Sequence, residues 1–311
     1  MFAGARDRAA DLGYAAGWGV VKGLPGGFAS RAFRGVADIA TVRNGPGARQ
    51  LRKNLRRVVG PAMPESELDE LVGAGLRSYS RYWLETFRLP KMDAAEVAAR
   101  TDANTSGAEY LDDALAKGKG AILALPHIGN WDVAGMWLVA RHGRFATVAE
   151  RLKPESLFDR FVAYREGLGF EILPLTGGER PPLEVLRARL AENKVVCLLG
   201  DRDLSRNGVQ VDFFGEPTRM PGGPAVLAAT TGAALLPVAM WFTDDGWGQV
   251  LNPPIEVPEG RLKDQVPAIT QALAHAFEKD IAAHPADWHM LQRLWLADLP
   301  PRRVPAEPVP S

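Results

Sequence analysis

Short apolar runs alternate with helical periodicity from about residue 104 onward, and no other feature restricts the possible folds as strongly. AILAL (121–125), FATVA (145–149), EILPL (171–175) and VVCLL (195–199) have the length and side chains of buried strands. Helical patterns fill the gaps near 132–141, 155–168 and 183–192. A strand covered on both faces reads as a continuous apolar run, and a helix between two such strands implies a parallel crossover. The expected fold class is therefore α/β, with a central, mostly parallel sheet flanked by helices. VQVDFF, LLPVAMWF and GQVLNPPI supply further strands, and 264–283 reads as a closing helix. A chain of 311 residues is long enough for one large core.

Charge is unevenly spread along a chain whose net charge is zero. Residues 1–60 hold eleven Lys and Arg against three Asp and Glu, so the remainder is acidic by the same margin. The spacing of Tyr14, Trp18 and Val21 predicts one amphipathic helix, and Phe28, Ala32, Val36 and Ile39 predict a second. In GARQLRKNLRRVVG (47–60), Leu51, Leu55 and Val58 share a face while Arg49, Arg52, Lys53, Arg56 and Arg57 surround it. That pattern suits a helix lying on an anionic membrane surface, or equally a basic face on an ordinary core helix. No apolar run approaches the roughly 18–20 residues that span a bilayer, so any membrane contact would be peripheral. Leu68, Val72, Leu76, Tyr79, Trp83 and Phe87 form a longer stripe, able to serve as core or to wall an acyl-chain groove. The chain thus divides into basic amphipathic helices (1–60), an α/β core (61–297) on which they pack, and a Pro-rich tail (298–311). Cys197 is the only cysteine and lies in VVCLL, where a packing role is expected.

In open parallel sheets, ligands bind outside the carboxyl ends of the strands. Three expected strands end in ionisable residues: AILALPH in His127, FATVAE in Glu150 and VVCLLGD in Asp201. Asp132 falls in the first turn of the next helix, within loop reach of His127 because Gly129 and Asn130 can supply a bend. In ESLFDRFVAYREGLG, Arg165 shares a face with Phe158, Phe161 and Val162, so it needs a carboxylate partner or an anionic ligand. A neutral imidazole can take a proton from a hydroxyl as it attacks a carbonyl, while an adjacent carboxylate fixes the tautomer. GxSxG, HExxH and P-loop patterns are absent. The attacking hydroxyl would then belong to a substrate, with direct transfer and no acyl-enzyme. Two other readings stay open. One is a metal-dependent hydrolase, since a His among carboxylates also suits Mg²⁺ or Mn²⁺; the other is a catalytically silent lipid-binding protein.

HIGNWD (127–132), AER (149–151), YREGLGF (164–170), GDRDLSRNGVQVDFFGEPTRMPGGPAVLAATTGAALLPV (200–238) and HPADWHMLQRLW (284–295) occur in this order. With LPGGFASRAFRGVADIATVRNG (24–45), these blocks resemble the HxxxxD/E family of lipid acyltransferases, which includes the late acyltransferases of lipid A synthesis. The GDRDLSRNGVQVDFFGE form is most similar to the phosphatidylinositol mannoside acyltransferases. That resemblance implies transfer of a long-chain acyl group, typically palmitoyl, from acyl-CoA to a mannose hydroxyl of the glycolipid. It implies peripheral attachment to the cytoplasmic face of the plasma membrane, and a hydrophobic groove for the acyl chain. His127 would be the general base and Asp132 its partner acid, with Glu150, Arg165 and Asp201 as polar groups around them. His284 or His289 would contribute from the carboxyl-terminal block, and Arg151, Lys153 and Arg202 are candidates for the CoA phosphates. No metal, cofactor or nucleic-acid partner is implied, acyl-CoA being a substrate.

Overall fold

The computed structural model describes residues 23–24, 26–151, 154–205 and 207–299. The helix expected around Tyr14, Trp18 and Val21, the candidate Lys153, and the tail from residue 300 lie outside them. The first elements among the described residues are α1 (Gly26–Arg43), α2 (Pro46–Val59), α3 (Glu65–Arg88) and α4 (Ala94–Asp102). The chain continues through β1 (Thr105–Ser106), α5 (Ala108–Ala116), β2 (Ala121–Leu125), α6 (Trp131–His142), β3 (Ala146–Ala149) and α7 (Glu155–Gly167). Next come β4 (Glu171–Pro174), α8 (Pro182–Ala191), β5 (Val195–Leu199), β6 (Val209–Phe213) and β7 (Glu216–Met220). It closes with α9 (Gly223–Thr231), β8 (Ala234–Phe242), β9 (Trp247–Leu251) and α10 (Leu262–Ala283).

Seven strands form one sheet in the order β1-β9-β8-β2-β5-β3-β4, while β6 and β7 make a separate antiparallel pair. Within the large sheet only β8 and β9 run antiparallel. β2, with neighbours on both sides and helices on both faces, is buried at every residue, as its uninterrupted apolar sequence requires. Ile122 and Ala124 pack on one face with Leu227 of α9 and Leu273 and Phe277 of α10. Leu123 and Leu125 pack on the other with Trp137 and Leu138 of α6. The α/β expectation and the four strands expected between 121 and 199 are those of the structure, with β4 at the edge of the sheet.

At the amino end, Leu51 and Leu55 of α2 are buried against Leu68, Val72 and Leu76 of α3 and Ala37 of α1. Arg52 pairs with Glu65 and Asp69, Arg56 with Glu65, and Arg57 with Glu216 and Asp298. Segment 47–60 is therefore a core helix whose apolar face is turned inward and whose main cations already have carboxylate partners. The apolar side chains left outside belong to α1, where Phe28, Val36, Ile39 and Val42 are exposed. Among the described residues no helix is long and apolar enough to cross a membrane.

Candidate active site

His127 and Asp201 meet because their strands do. β2 and β5 pair in parallel with Leu125 opposite Leu199, and each residue lies two positions beyond its strand. The His127 Nδ1 sits 2.6 Å from Asp201 Oδ1, and the His127 amide donates to Oδ2 at 2.9 Å. The Trp288 indole also donates to Oδ2, at 3.0 Å. Burial alone would raise the pKa of this fully buried carboxyl, but the facing His127 and these donors hold it below the usual carboxylate value. Because the carboxylate only accepts, it selects the Nδ1–H tautomer and leaves Nε2 as the basic nitrogen. His127 lines a cleft of about 490 Å³ shared with Tyr82, Trp83 and Trp131.

The bend after His127 depends on Gly129, at φ +60, where a Cβ would lie 2.7 Å from the Met240 carbonyl. Asn130 then caps α6, its side chain accepting from the amides of Asp132 and Val133 and donating to Glu85 at 2.8 Å.

The structure departs from the expected pairing of His127 with Asp132. Asp132 is fully buried in the first turn of α6, and its Oδ1 accepts from Arg165 Nε at 2.8 Å. Asp201 occupies the place beside the imidazole instead. Helical geometry explains the difference: once α6 begins at Trp131, the Asp132 side chain points under the helix towards α7. Arg165 thus has the carboxylate partner that its apolar face demanded. Burial would discharge it, but the charge of Asp132 holds its pKa above the ordinary arginine value.

Glu150 and Arg202 both line the cleft, at the ends of β3 and β5. Arg151 is engaged by Glu155 at 2.8 Å and by the Thr176 and Gly177 carbonyls. Of the two carboxyl-terminal histidines, His284 stacks face to face on Trp241, with ring centroids 4.3 Å apart, and does not line the cleft. His289 is the neighbour of the site. Its amide donates to the His127 carbonyl at 2.8 Å, and its Nε2 lies 2.9 Å from Ser78 Oγ. Ser78 donates onward to Asp287 at 2.6 Å, so Nε2 carries the His289 proton. Sequence reasoning missed Trp288, Ser78 and Asp287. Trp288 stood inside the block HPADWHMLQRLW, whose histidines drew attention as the more familiar chemical groups.

Inside the cleft's mouth lies a second, narrower cavity beneath α6. It shares Trp131, Val148, Arg165, Leu198 and Leu199 with the outer cleft and is lined on the sheet side by Leu123, Leu125, Val238 and Leu251. Cys197 lines it rather than being packed solidly, and burial pushes its thiol pKa well up. Among the described residues, no three His, Cys, Asp or Glu side chains come together to hold a metal ion.

The family described as bacterial lipid A biosynthesis acyltransferase matches residues 7–297. The chain belongs to this acyltransferase family. A phosphatidylinositol mannoside acyltransferase of Mycobacterium tuberculosis (strain CDC 1551 / Oshkosh) is 59% identical over 291 residues, covering 94% of this chain and 90% of the relative. Its counterpart in Mycolicibacterium smegmatis (strain ATCC 700084 / mc(2)155) is 56% identical over 293 residues, covering 94% and 93%.

Proposed function

We propose that the protein moves a long-chain acyl group, palmitoyl foremost, from acyl-CoA to a mannose hydroxyl of a phosphatidylinositol mannoside. The observation that carries the chemistry is the His127–Asp201 pair, facing a cleft that adjoins an apolar channel. The acceptor is inferred from the names of relatives 56% and 59% identical. Nε2 of His127 takes the hydroxyl proton as the mannose oxygen bonds to the thioester carbonyl carbon. Collapse of the tetrahedral intermediate breaks the C–S bond, and the imidazolium returns the proton to the departing CoA sulfur. Asp201 opposes the imidazolium charge throughout. Transfer is direct: the buried Cys197 thiol, with its pKa raised, makes a poor nucleophile.

Arg202 lines the cleft, which supports it as the cation for a CoA phosphate. Membrane contact falls to α1, whose exposed Phe28, Val36, Ile39 and Val42 are flanked by exposed Arg31, Arg34 and Arg43. That arrangement fits peripheral attachment to an anionic surface such as the cytoplasmic leaflet of the plasma membrane.

The test mixes purified protein with palmitoyl-CoA and phosphatidylinositol mannoside in vesicles and weighs the products by mass spectrometry. The wild type is expected to give acylated glycolipid, and His127→Ala none, with unchanged circular dichroism. Wild-type turnover in that variant, or free fatty acid as the sole product of the wild type, would overturn the proposal.

A further inference from the structure

The loop that carries His127 is held by one face of α3. Tyr82 and Glu85 stand three residues apart on that helix and so lie side by side. Tyr82 packs on the Trp131 ring, with centroids 4.2 Å apart. Glu85 Oε2 accepts from Asn130 Nδ2 at 2.8 Å, so the two α3 side chains grip consecutive residues. The same Oε2 accepts from Trp247 Nε1, at the start of β9, also at 2.8 Å, and Arg81 Nε donates to Oε1 at 2.7 Å. Arg81 in turn donates to the Thr243 and Gly246 carbonyls between β8 and β9, at 2.8 Å and 2.9 Å. The carboxylate of Glu85 is thereby fixed before it acts on anything else.

Its contribution is polarity. The Asn130 side chain is fully buried, and an amide of that shape fits the same space either way round. A carboxylate only accepts, so Glu85 takes the NH₂ side and turns Oδ1 towards the Asp132 and Val133 amides, at 3.2 Å and 3.3 Å. That cap makes Trp131 the first residue of α6. The indole of Trp131 then meets the His127 imidazole edge to face, with ring centroids 5.6 Å apart, in the cleft that both line. Asp201 tethers the imidazole at Nδ1, and a tether at one nitrogen leaves the far end of the ring to swing. The indole limits that swing and so sets where Nε2 points.

We propose that Glu85 is a positioning residue for acyl transfer: it orients the Asn130 amide, which starts α6 at Trp131, which in turn aims Nε2 of His127. This rests on the acyl-transfer reading above and adds to it a residue outside the cleft. Because Glu85 does not line the cleft, its effect passes through Asn130 and Trp131 and belongs in kcat, not in KM.

The experiment measures steady-state transfer from palmitoyl-CoA to phosphatidylinositol mannoside, together with Tm, across a set of variants. Glu85→Gln offers one accepting oxygen where three donors meet, and is expected to lower kcat on the order of 10- to 10²-fold with KM within about twofold. Asn130→Asp sets two carboxylates against each other and is expected to lose kcat similarly. Combining the two puts a donor opposite an acceptor again, the Gln amide facing an Asp that still caps α6, and should recover kcat above either single variant. Trp247→Phe removes a different donor from the same carboxylate and should lower Tm with kcat within about twofold of wild type. Wild-type kcat in Glu85→Gln, a double variant no faster than the singles, or an equal loss of kcat in Trp247→Phe at equal loss of Tm would each overturn the proposal. Should Glu85→Gln not fold, Asn130→Ser, which keeps a cap but is too short to reach Glu85, is held to the same loss of kcat. Absence of acylated glycolipid from the wild type would instead defeat the parent reading, and shows before any variant is compared.

Discussion

Asp201 takes three donors at once, from the His127 ring, the His127 amide and the Trp288 indole. Asn in its place has one accepting oxygen and an NH₂ group that must face a donor. The imidazole then loses the group that selects its tautomer and opposes its charge. We expect Asp201→Asn to lower kcat by about 10²–10⁴-fold with KM little changed, because the apolar channel lies elsewhere. Steady-state kinetics decide this; a raised KM at unchanged kcat would make Asp201 a merely structural residue. His289 carries a second prediction. Burial, with a smaller contribution from His127, pushes its pKa down to about 3. An unfolded histidine titrates near ~6.5, so below that pH the unfolded chain binds a proton that the folded chain refuses. The stability that depends on neutral His289 is complete above about 6.5 and is lost progressively as pH falls towards about 3. His289→Gln can keep the bond to Ser78 without titrating. The gap in Tm between wild type and this variant should therefore narrow from about pH 7.5 to about pH 5. A constant gap would show that the residue does not titrate differently in the two states.

Among the elements, the strands were readable because central parallel strands cannot hide their composition: AILAL and VVCLL are apolar throughout since both faces are covered. The rim was readable for the same reason, as His127, Glu150 and Asp201 each follow a strand. Which strands stand side by side was not readable, and that adjacency decides that Asp201 and not Asp132 meets His127. Periodicity likewise showed that α2 has an apolar stripe but not what covers it. Arg52 and Arg56 share Glu65, while on α1 the buried Ala29 and Ala37 face inward and Phe28, Val36, Ile39 and Val42 outward. Replacing Val36 and Ile39 together by Asp should weaken cosedimentation with anionic vesicles at least about 10-fold, since two exposed apolar side chains contribute on the order of 1–3 kcal/mol each when buried in lipid. Tm should hardly move. Arg52→Glu should do the reverse, lowering Tm and leaving vesicle binding near wild type. Equal vesicle binding by the α1 variant and the wild type would remove α1 from the membrane contact.

At the scale of the molecule, the last described residues hold the others together. From Pro285 onward the chain crosses the His127 loop, where Gly129 donates to Asp287 at 2.9 Å and Ile128 bridges Trp288. It then reaches the β6–β7 pair, where Thr218 donates to the Leu294 carbonyl at 2.7 Å and Trp295 to Phe213 at 2.9 Å. On its outer side it is caught by α2, whose fully buried Asn54 donates to the carbonyls of Met290 at 2.7 Å and Gln292 at 2.9 Å. Through Asn54, α2 therefore holds the same segment that delivers Trp288 to Asp201. Asn54→Ala leaves both carbonyls without that donor, at a cost of about 1–3 kcal/mol for each group that stays dry. Global stability in urea should fall by about that amount, and amide exchange across 288–295 should accelerate more than exchange in β2 or β5. Activity should fall with it, through kcat, because loosening the Trp288 indole loosens the carboxylate behind His127. Exchange in 288–295 that stays at the wild-type rate while β2 and β5 loosen would place the hold of this segment elsewhere than in α2.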